Sequence, residues 1–206
     1  MKRLIIIGAS GHGKVVAEIA KLNGYEDIAF LDGNTSIRSC SGYPVIGTDA
    51  MLDMFEGDVF VAVGNATVRE RIMNKYKDRN FPILIHPSAV IGKDVVIGAG
   101  SVIMAGTVIN PSVILGQGVI VNTSSSIDHD CKVGDFVHIA VGAHLSGTVS
   151  IGAKTWIGAG AVVSNNVNIC GGCTVGAGAV VIRDIDEPGT YVGVPAMAIL
   201  KEKFYV

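Results

Sequence analysis

From residue 85 onward an aliphatic side chain returns at every sixth position without a gap: Ile85, Ile91, Ile97, Ile103, Ile109, Leu115, Val121, Ile127, Val133, Ile139, Leu145, Ile151, Ile157, Val163, Ile169, Val175 and Val181. Four residues after each, from 95 to 179, the side chain is small: Val, Ser, Thr, Cys or Ala. A strict six-residue period marks a hexapeptide parallel β-helix. Each hexapeptide forms one side of a triangular coil, three sides make an 18-residue turn, and stacking the turns buries the aliphatic row. The repeat predicts between five and six coils, about 25 Å of prism at ~4.8 Å per strand. The tail "EPGTYVGVPAMAILKEKF" leaves the period and is expected to cap the prism, ending in a short helix.

Before residue 85 the pattern alternates between strand and helix. "RLIIIG" is an apolar run stopped by glycine, and "HGKVVAEIAKLNG" puts Val15, Val16, Ile19, Ala20 and Leu22 on one helical face before Gly24. "DIAFLD" and "YPVIG" read as strands and "TDAMLDMF" as a capped helix. "VFVAVG" reads as a strand, and "NATVRERIMNKYK" as a helix with Asn65 or Thr67 as N-cap. Such alternation predicts a small doubly wound domain with a parallel sheet over residues 1–84, ahead of a β-helix domain over 85–206.

Composition narrows the class. Half the residues are apolar, only 6% are aromatic and 27 are glycine, which suits an aliphatic, turn-rich, backbone-dense core. A net charge of -2 supplies no basic footprint for nucleic acid. No apolar run approaches the ~18 residues needed to span a bilayer, and "MKRLIIIGASGHGKV" breaks too early for a signal peptide, so a cytoplasmic protein without membrane insertion is expected. Of the four cysteines, Cys131 and Cys173 fall in the small-residue series and read as interior thiols, while Cys170 takes a turn-adjacent slot; no metal site is expected.

The segment "VIVNTSSSIDHDCKVGDFVHIAVGAHL" breaks the blandness of the repeat, holding three of the five histidines. Residues 18 apart stack, so Gly147 should lie one coil above His129, and Trp156 one coil above His138. His129 and His138 are half a coil apart and point to different parts of the surface; they can meet across a subunit interface. His144 reads as solvent-facing, and Trp156 as either a subunit or a substrate contact. In the first domain, "GASGHG" has the order GxxGxG, and its N–H groups at a helix N-terminus can cradle phosphate.

"IIGASGHGKVV", "VAVGNATVRERI", "HPSAVIG", "NTSSSIDHDCKVGDFVHIAVGAHLSG" and "YVGVPA" together resemble the sugar-nucleotide acetyltransferases of the PglD and NeuD type, along essentially the whole chain. That resemblance implies a Rossmann-like α/β domain followed by an all-β left-handed parallel β-helix, a homotrimer with active sites at subunit interfaces, and acetyl-CoA as co-substrate. It implies that His129 is the general base taking a proton from the 4-amino group of a UDP-linked amino sugar. Asp130 stands beside it where some members carry Glu, and Asp128 also flanks it. Gly147 is implied as the backbone donor to the thioester carbonyl. Ser10, Gly11, His12, Asp32, Gly64 and Asn65 are implied for the UDP part, Asn122 and His138 for the substrate, and Gly147, Ala159 and Ala177 for CoA.

The chemistry asks for such a set: imidazole titrates near neutrality, a neighbouring carboxylate fixes its tautomer, and a backbone N–H can polarise the carbonyl. O-acetylation of sialic acid or another sugar, as in NeuD-like members, is the nearest alternative. A non-catalytic sugar-nucleotide-binding protein is a further one. A zinc lyase of the β-helical carbonic anhydrase kind fits poorly, because His138 and His144 are six apart and occupy equivalent slots on successive sides.

Overall fold

The computed structural model describes residues 2–199; the short helix expected at the end of the tail falls outside them. In the first domain β1 (Arg3–Ile7), β2 (Asp27–Leu31), β4 (Tyr43–Gly47) and β5 (Asp58–Val61) run parallel, and β3 (Ser39–Cys40) turns back on β4 as an antiparallel edge, giving the order β3-β4-β2-β1-β5. Helix α1 (Gly11–Leu22) packs Val16, Ala17, Ile19 and Ala20 on one face of the sheet, against Leu4, Ile6 and Phe30. Helix α2 (Ala66–Lys75) packs Ile72 and Met73 on the other, against Ile5, Ile7 and Val59. Both faces are covered, which is why β1 reads as an unbroken apolar run.

Two details depart from the sequence expectation. Residues Asp49–Met54 form a 3₁₀ helix in place of a capped α-helix, and Thr48 makes no side-chain cap bond. Six residues are too few to repay helix nucleation, so the tighter turn wins. The two-residue β3 lies in a polar stretch with no period to announce it. The N-cap of α2 is Asn65, whose side-chain oxygen accepts from Val68 N at 3.0 Å.

From β6 (Leu84–Ile85) to β22 (Val180–Val181) every expected aliphatic position sits in a two-residue strand of a parallel β-solenoid, paired with the residue 18 away, as in Ile109 with Ile127 and Ile139 with Ile157. The strands fall into three faces. The first carries β6, β12 (Ile120–Val121), β15 (His138–Ile139) and β18 (Trp156–Ile157); the second carries β13 (Ser126–Ile127) and β16 (His144–Leu145); the third carries β14 (Lys132–Val133) and β17 (Ser150–Ile151).

The small series lines the interior, and Cys131 and Cys173 are buried there. The buried hydroxyls of Ser101, Thr107, Ser125 and Thr155 each donate to a carbonyl, of Gly116, Asn122, Asn122 and Cys170 respectively, so the core carries no unpaired hydroxyl at these positions. Ile85, Ile91 and Ile97 are only partly buried, being at the open end of the prism. The tail caps the other end: β23 (Thr190–Val192) adds in parallel to β21 (Thr174–Val175), and β24 (Met197–Ala198) turns back on it.

The outward side chains of the first face decide where a site can form. Leu84, Val102 and Ile120 are buried in the same core as α1, so the solenoid and the first domain share packing. Higher on that face the outward positions become His138, still half-buried beside the first domain, and then Trp156 and Thr174, which are exposed. A cleft opens at that level.

Candidate active site

The cleft has a volume of about 510 Å³ and lies between the Gly64–Thr67 segment at the head of α2 and the solenoid positions His138, Lys154, Trp156, Gly172 and Thr174. His138 and Trp156 stack with parallel rings, centroids 5.6 Å apart, as the 18-residue spacing requires. Asn122 Oδ1 accepts from Thr123 N at 2.8 Å, which leaves Asn122 Nδ2 to donate to His138 Nε2 at 3.2 Å. The proton of His138 therefore belongs on Nδ1. Burial, then the neighbouring His12 and Arg69, push the His138 pKa down to about 4, so the ring is neutral at physiological pH. His12 is likewise pushed down to about 4 by burial and by Arg69. Among the described residues its buried Nε2 has no hydrogen-bond partner.

The glycine loop before α1 divides its labour. A Cβ at Gly13 would strike the carbonyl oxygen of Gly8, and one at Gly8 (φ +111°) would lie 2.7 Å from Ala62 O, so both are needed to seat the helix on the sheet. A Cβ at Gly11 or at Gly64 would meet nothing within 4 Å. Those two glycines face open space, where a ligand can approach backbone. Ser10 is the exposed N-cap of α1 and makes no side-chain cap bond. The Asp32 carboxylate accepts from Ala9 N at 2.7 Å and from Asn34 N at 2.8 Å, bracing the loop. Only its remaining lone pairs face the small cavity of about 150 Å³ shared with Thr35, Arg38 and Thr48.

A second constellation sits at the corner between the second and third faces. His129 Nδ1 bonds Asp130 Oδ2 at 2.8 Å, and both side chains are more than half exposed. Asp130 adopts a left-handed backbone (φ 60°), as do Asp94, Ser112, Thr148 and Asn166 at the equivalent corners. Asp and Asn tolerate that conformation, and it is what turns the chain from one face to the next. Asp128 is held by Asn110 Nδ2 at 2.7 Å and by the His129 N–H at 2.8 Å, which together keep its carboxyl below the usual range. The bond to Asp130 and the charge of Asp128 raise the His129 pKa above the ordinary imidazole value. With Nδ1 donating to Asp130, the Nε2 lone pair is left free to accept. Gly147 lies directly above, so close that an added Cβ would sit 2.7 Å from His129 Nε2. Thr148 N donates to His129 O at 2.9 Å, while among the described residues the Gly147 N–H has no partner.

Within one chain these groups do not all converge. His12, Gly64, Asn65, Asn122 and His138 gather at the cleft; His129, Asp130 and Gly147 gather at the corner; Ala159 and Ala177 stack on a third site, the exposed corner between the first and second faces. Sequence reasoning missed Lys154, which lines the cleft and pairs with Glu70 of α2 at 2.7 Å, and Arg69, which is 1% exposed. Lys154 carries no local signal, being a charged residue at a corner that reads as solvent-facing, whereas Arg69 had one that was passed over: it stands three, four and seven residues before Ile72, Met73 and Tyr76, on the apolar face of the helix. Among the described residues no group of three or more His, Cys, Asp or Glu side chains could hold a metal ion, and no helix is long and apolar enough to cross a membrane.

Residues 3–76 match the family model for the PglD N-terminal domain. The acetyltransferase domain of PglB from Neisseria gonorrhoeae FA1090 is 44% identical, with a TM-score of 0.93 over 97% of this chain and 100% of that one. The same domain superposes equally well in its complex with acetyl coenzyme A (44% identity, TM-score 0.93, 96% and 99% of the two chains). PerB from Caulobacter crescentus in complex with CoA and GDP-perosamine is 34% identical, with a TM-score of 0.91 over 97% of this chain and 98% of that one. Among curated proteins, UDP-N-acetylbacillosamine N-acetyltransferase of Bacillus subtilis (strain 168) is 36% identical over 114 residues, which span 51% of this chain and 52% of that protein.

Proposed function

This chain belongs to the PglD family of sugar N-acetyltransferases, and from that premise we propose that it transfers acetyl from acetyl-CoA to the 4-amino group of a UDP-linked amino sugar, with His129 as general base. The observation that carries the reading is the corner geometry: an imidazole fixed by Asp130, its Nε2 close against Gly147, whose N–H has no partner among the described residues. The amine nitrogen attacks the thioester carbonyl carbon and its proton passes to His129 Nε2. The Gly147 N–H steadies the oxyanion, the C–S bond breaks, and the imidazolium returns the proton to the CoA thiolate. No acyl-enzyme forms. The carboxylate of Asp130 holds the tautomer and stabilises the imidazolium without itself taking the proton.

The cleft supports the sugar-nucleotide part. Open backbone at Gly11 and Gly64, the N-terminus of α2 and the Lys154 ammonium favour an anionic diphosphate, with His12, Asn122, His138 and Trp156 offering polar and stacking contacts. The name of the Bacillus relative favours a UDP carrier, and the N-acetyltransferase activities that the relatives are named for favour N- over O-acetylation. The separation of corner and cleft favours a homotrimer, in which the His129 corner of one protomer meets the His138 face of the next and CoA lies along the seam by Gly147, Ala159 and Ala177. Val90, Val96, Val108 and Ile114, exposed on the second and third faces, supply apolar surface for it. Dependence on acetyl-CoA favours the cytoplasm.

The test is thiol release from acetyl-CoA with UDP- and GDP-linked 4-amino sugars, wild type beside His129→Ala, with light scattering on both. The expected outcome is trimeric protein, amide product, and a kcat lowered ~100-fold or more in the variant. Undiminished turnover in His129→Ala would sink the assignment.

A further inference from the structure

Helix α2 runs along the corner between the third and first faces, where residues 100, 118, 136, 154 and 172 stack one above another, all with left-handed backbone. Glycine serves at 100, 118 and 172, as that conformation favours. Phe136 (φ 60°) and Lys154 (φ 63°) do not have glycine's freedom, and backbone held in such a region persists only where the surroundings dictate it. Both are held by α2: Arg69 Nη2 donates to Phe136 O at 2.7 Å, and Glu70 pairs with the Lys154 ammonium.

The other bonds of Arg69 reach the neighbouring coil and the loop preceding α2. Its Nε donates to Gly118 O at 2.7 Å, and Nη1 to Val63 O at 2.7 Å and Gly64 O at 3.0 Å. One guanidinium thus ties the backbone two residues before His138 to the backbone adjoining Asn65. Among the described residues no carboxylate is its partner. Burying a cation on carbonyls alone is costly, and apolar side chains pack a helix against a corner at less expense of desolvation, so packing does not account for it. Burial lowers its pKa to about 10, which leaves it charged at neutral pH.

We propose that Arg69 is a positioning residue for the transfer reaction: its four carbonyl bonds set the Gly64–Asn65 wall of the cleft in register with His138, and so fix the width of the sugar-nucleotide site. The inference rests on the function proposed above. It assigns Arg69 no contact with substrate; Arg69 acts through Gly64, Asn65 and His138. A lysine keeps the charge, but three donors on one nitrogen cannot span carbonyls contributed by two domains, so it is no substitute for the planar fork.

The experiment compares wild type with Arg69→Lys and Arg69→Gln in steady-state kinetics, with thermal melting and light scattering to establish the folded fraction. The expected result is a KM for the UDP-amino sugar raised ~10-fold or more in both variants, with the KM for acetyl-CoA unchanged. A purely structural role would reduce kcat in proportion to the folded protein lost and leave both KM values alone, and that outcome overturns the proposal. Should neither variant fold, hydrogen exchange on the wild type decides: added UDP-amino sugar is expected to slow the amides of residues 64–68 together with those of 136–138, and exchange unchanged in either segment overturns it. Wild type that turns over no amino-sugar nucleotide in the same assay rejects the proposed function itself, whereas a working wild type with unmoved KM values in the variants rejects only the role of Arg69.

Discussion

Gly147→Ala isolates the contact between the proposed base and its donor. Gly147 has no positive φ, so alanine meets no backbone objection; the three atoms nearest to its Cβ all belong to the His129 ring. The new Cβ would lie 2.7 Å from Nε2, 2.8 Å from Cε1 and 3.3 Å from Cδ2. Non-bonded carbons prefer about 3.5 to 4.0 Å, so the ring must retreat by about 0.8 Å or more. The exposed side chain has room to swing, and the fold should lose little: a melting temperature within a few degrees of wild type. Catalysis should not be spared, because a misplacement near 1 Å costs ~100-fold when reacting groups are held in a near-attack geometry. Steady-state turnover of acetyl-CoA with a UDP-amino sugar reads the loss as kcat, with both KM values little changed. An alanine variant with wild-type kcat would refute the claim that His129 works from directly beneath residue 147.

Two further expectations concern protons. A base must be neutral to act, and the Asp130 bond and the Asp128 charge raise the His129 pKa, so the acid limb of kcat/KM should lie above the ordinary imidazole value. Asp130→Asn should move that limb to lower pH while reducing kcat, and an unmoved limb would assign the titration to another group. His12 and His138 behave oppositely: with native values near 4 against 6.5 when unfolded, unfolding takes up protons in that window. Stability is then full above pH 6.5 and lost as pH falls towards 4, at about 1.4 kcal/mol per pH unit for each group and about 3 kcal/mol each in all. Urea midpoints recorded from pH 7 to 4.5 should fall accordingly and fall less in His138→Gln; a midpoint flat across that range would show that the two rings are not buried neutral.

The fold was legible because a six-residue period has one structural solution, and the seventeen aliphatic positions occupy it without a slip. The stacking of Gly147 on His129 and of Trp156 on His138 followed from counting 18. The cleft did not follow. Its walls come from Asn65 and His138, distant in sequence; the helical period sets Arg69 on the face of Ile72, Met73 and Tyr76 and Arg71 off it, but the carbonyls that satisfy the buried guanidinium lie 49 and 67 residues away and have no local sign. Asp32 was recognised as a residue worth noticing, but the backbone N–H groups that occupy it are visible only once the loop is built. Periodicity reports what a side chain faces within its own element, and is silent about what docks upon it.

The handover on the first face, from Leu84, Val102 and Ile120 beneath the first domain, through His138 at its margin, to Trp156 and Thr174 beyond it, makes the solenoid a ruler. Removing or adding an 18-residue coil would leave every interior side chain in an equivalent slot, so the prism as such is indifferent to its length. The site is not: one coil fewer beneath the cleft would slide the graduations by about 4.8 Å and bring Trp156 to the height that His138 now occupies against Asn65. Drift in coil number between relatives is therefore constrained below the cleft by the height of the first domain, and free above it only as far as the cap allows.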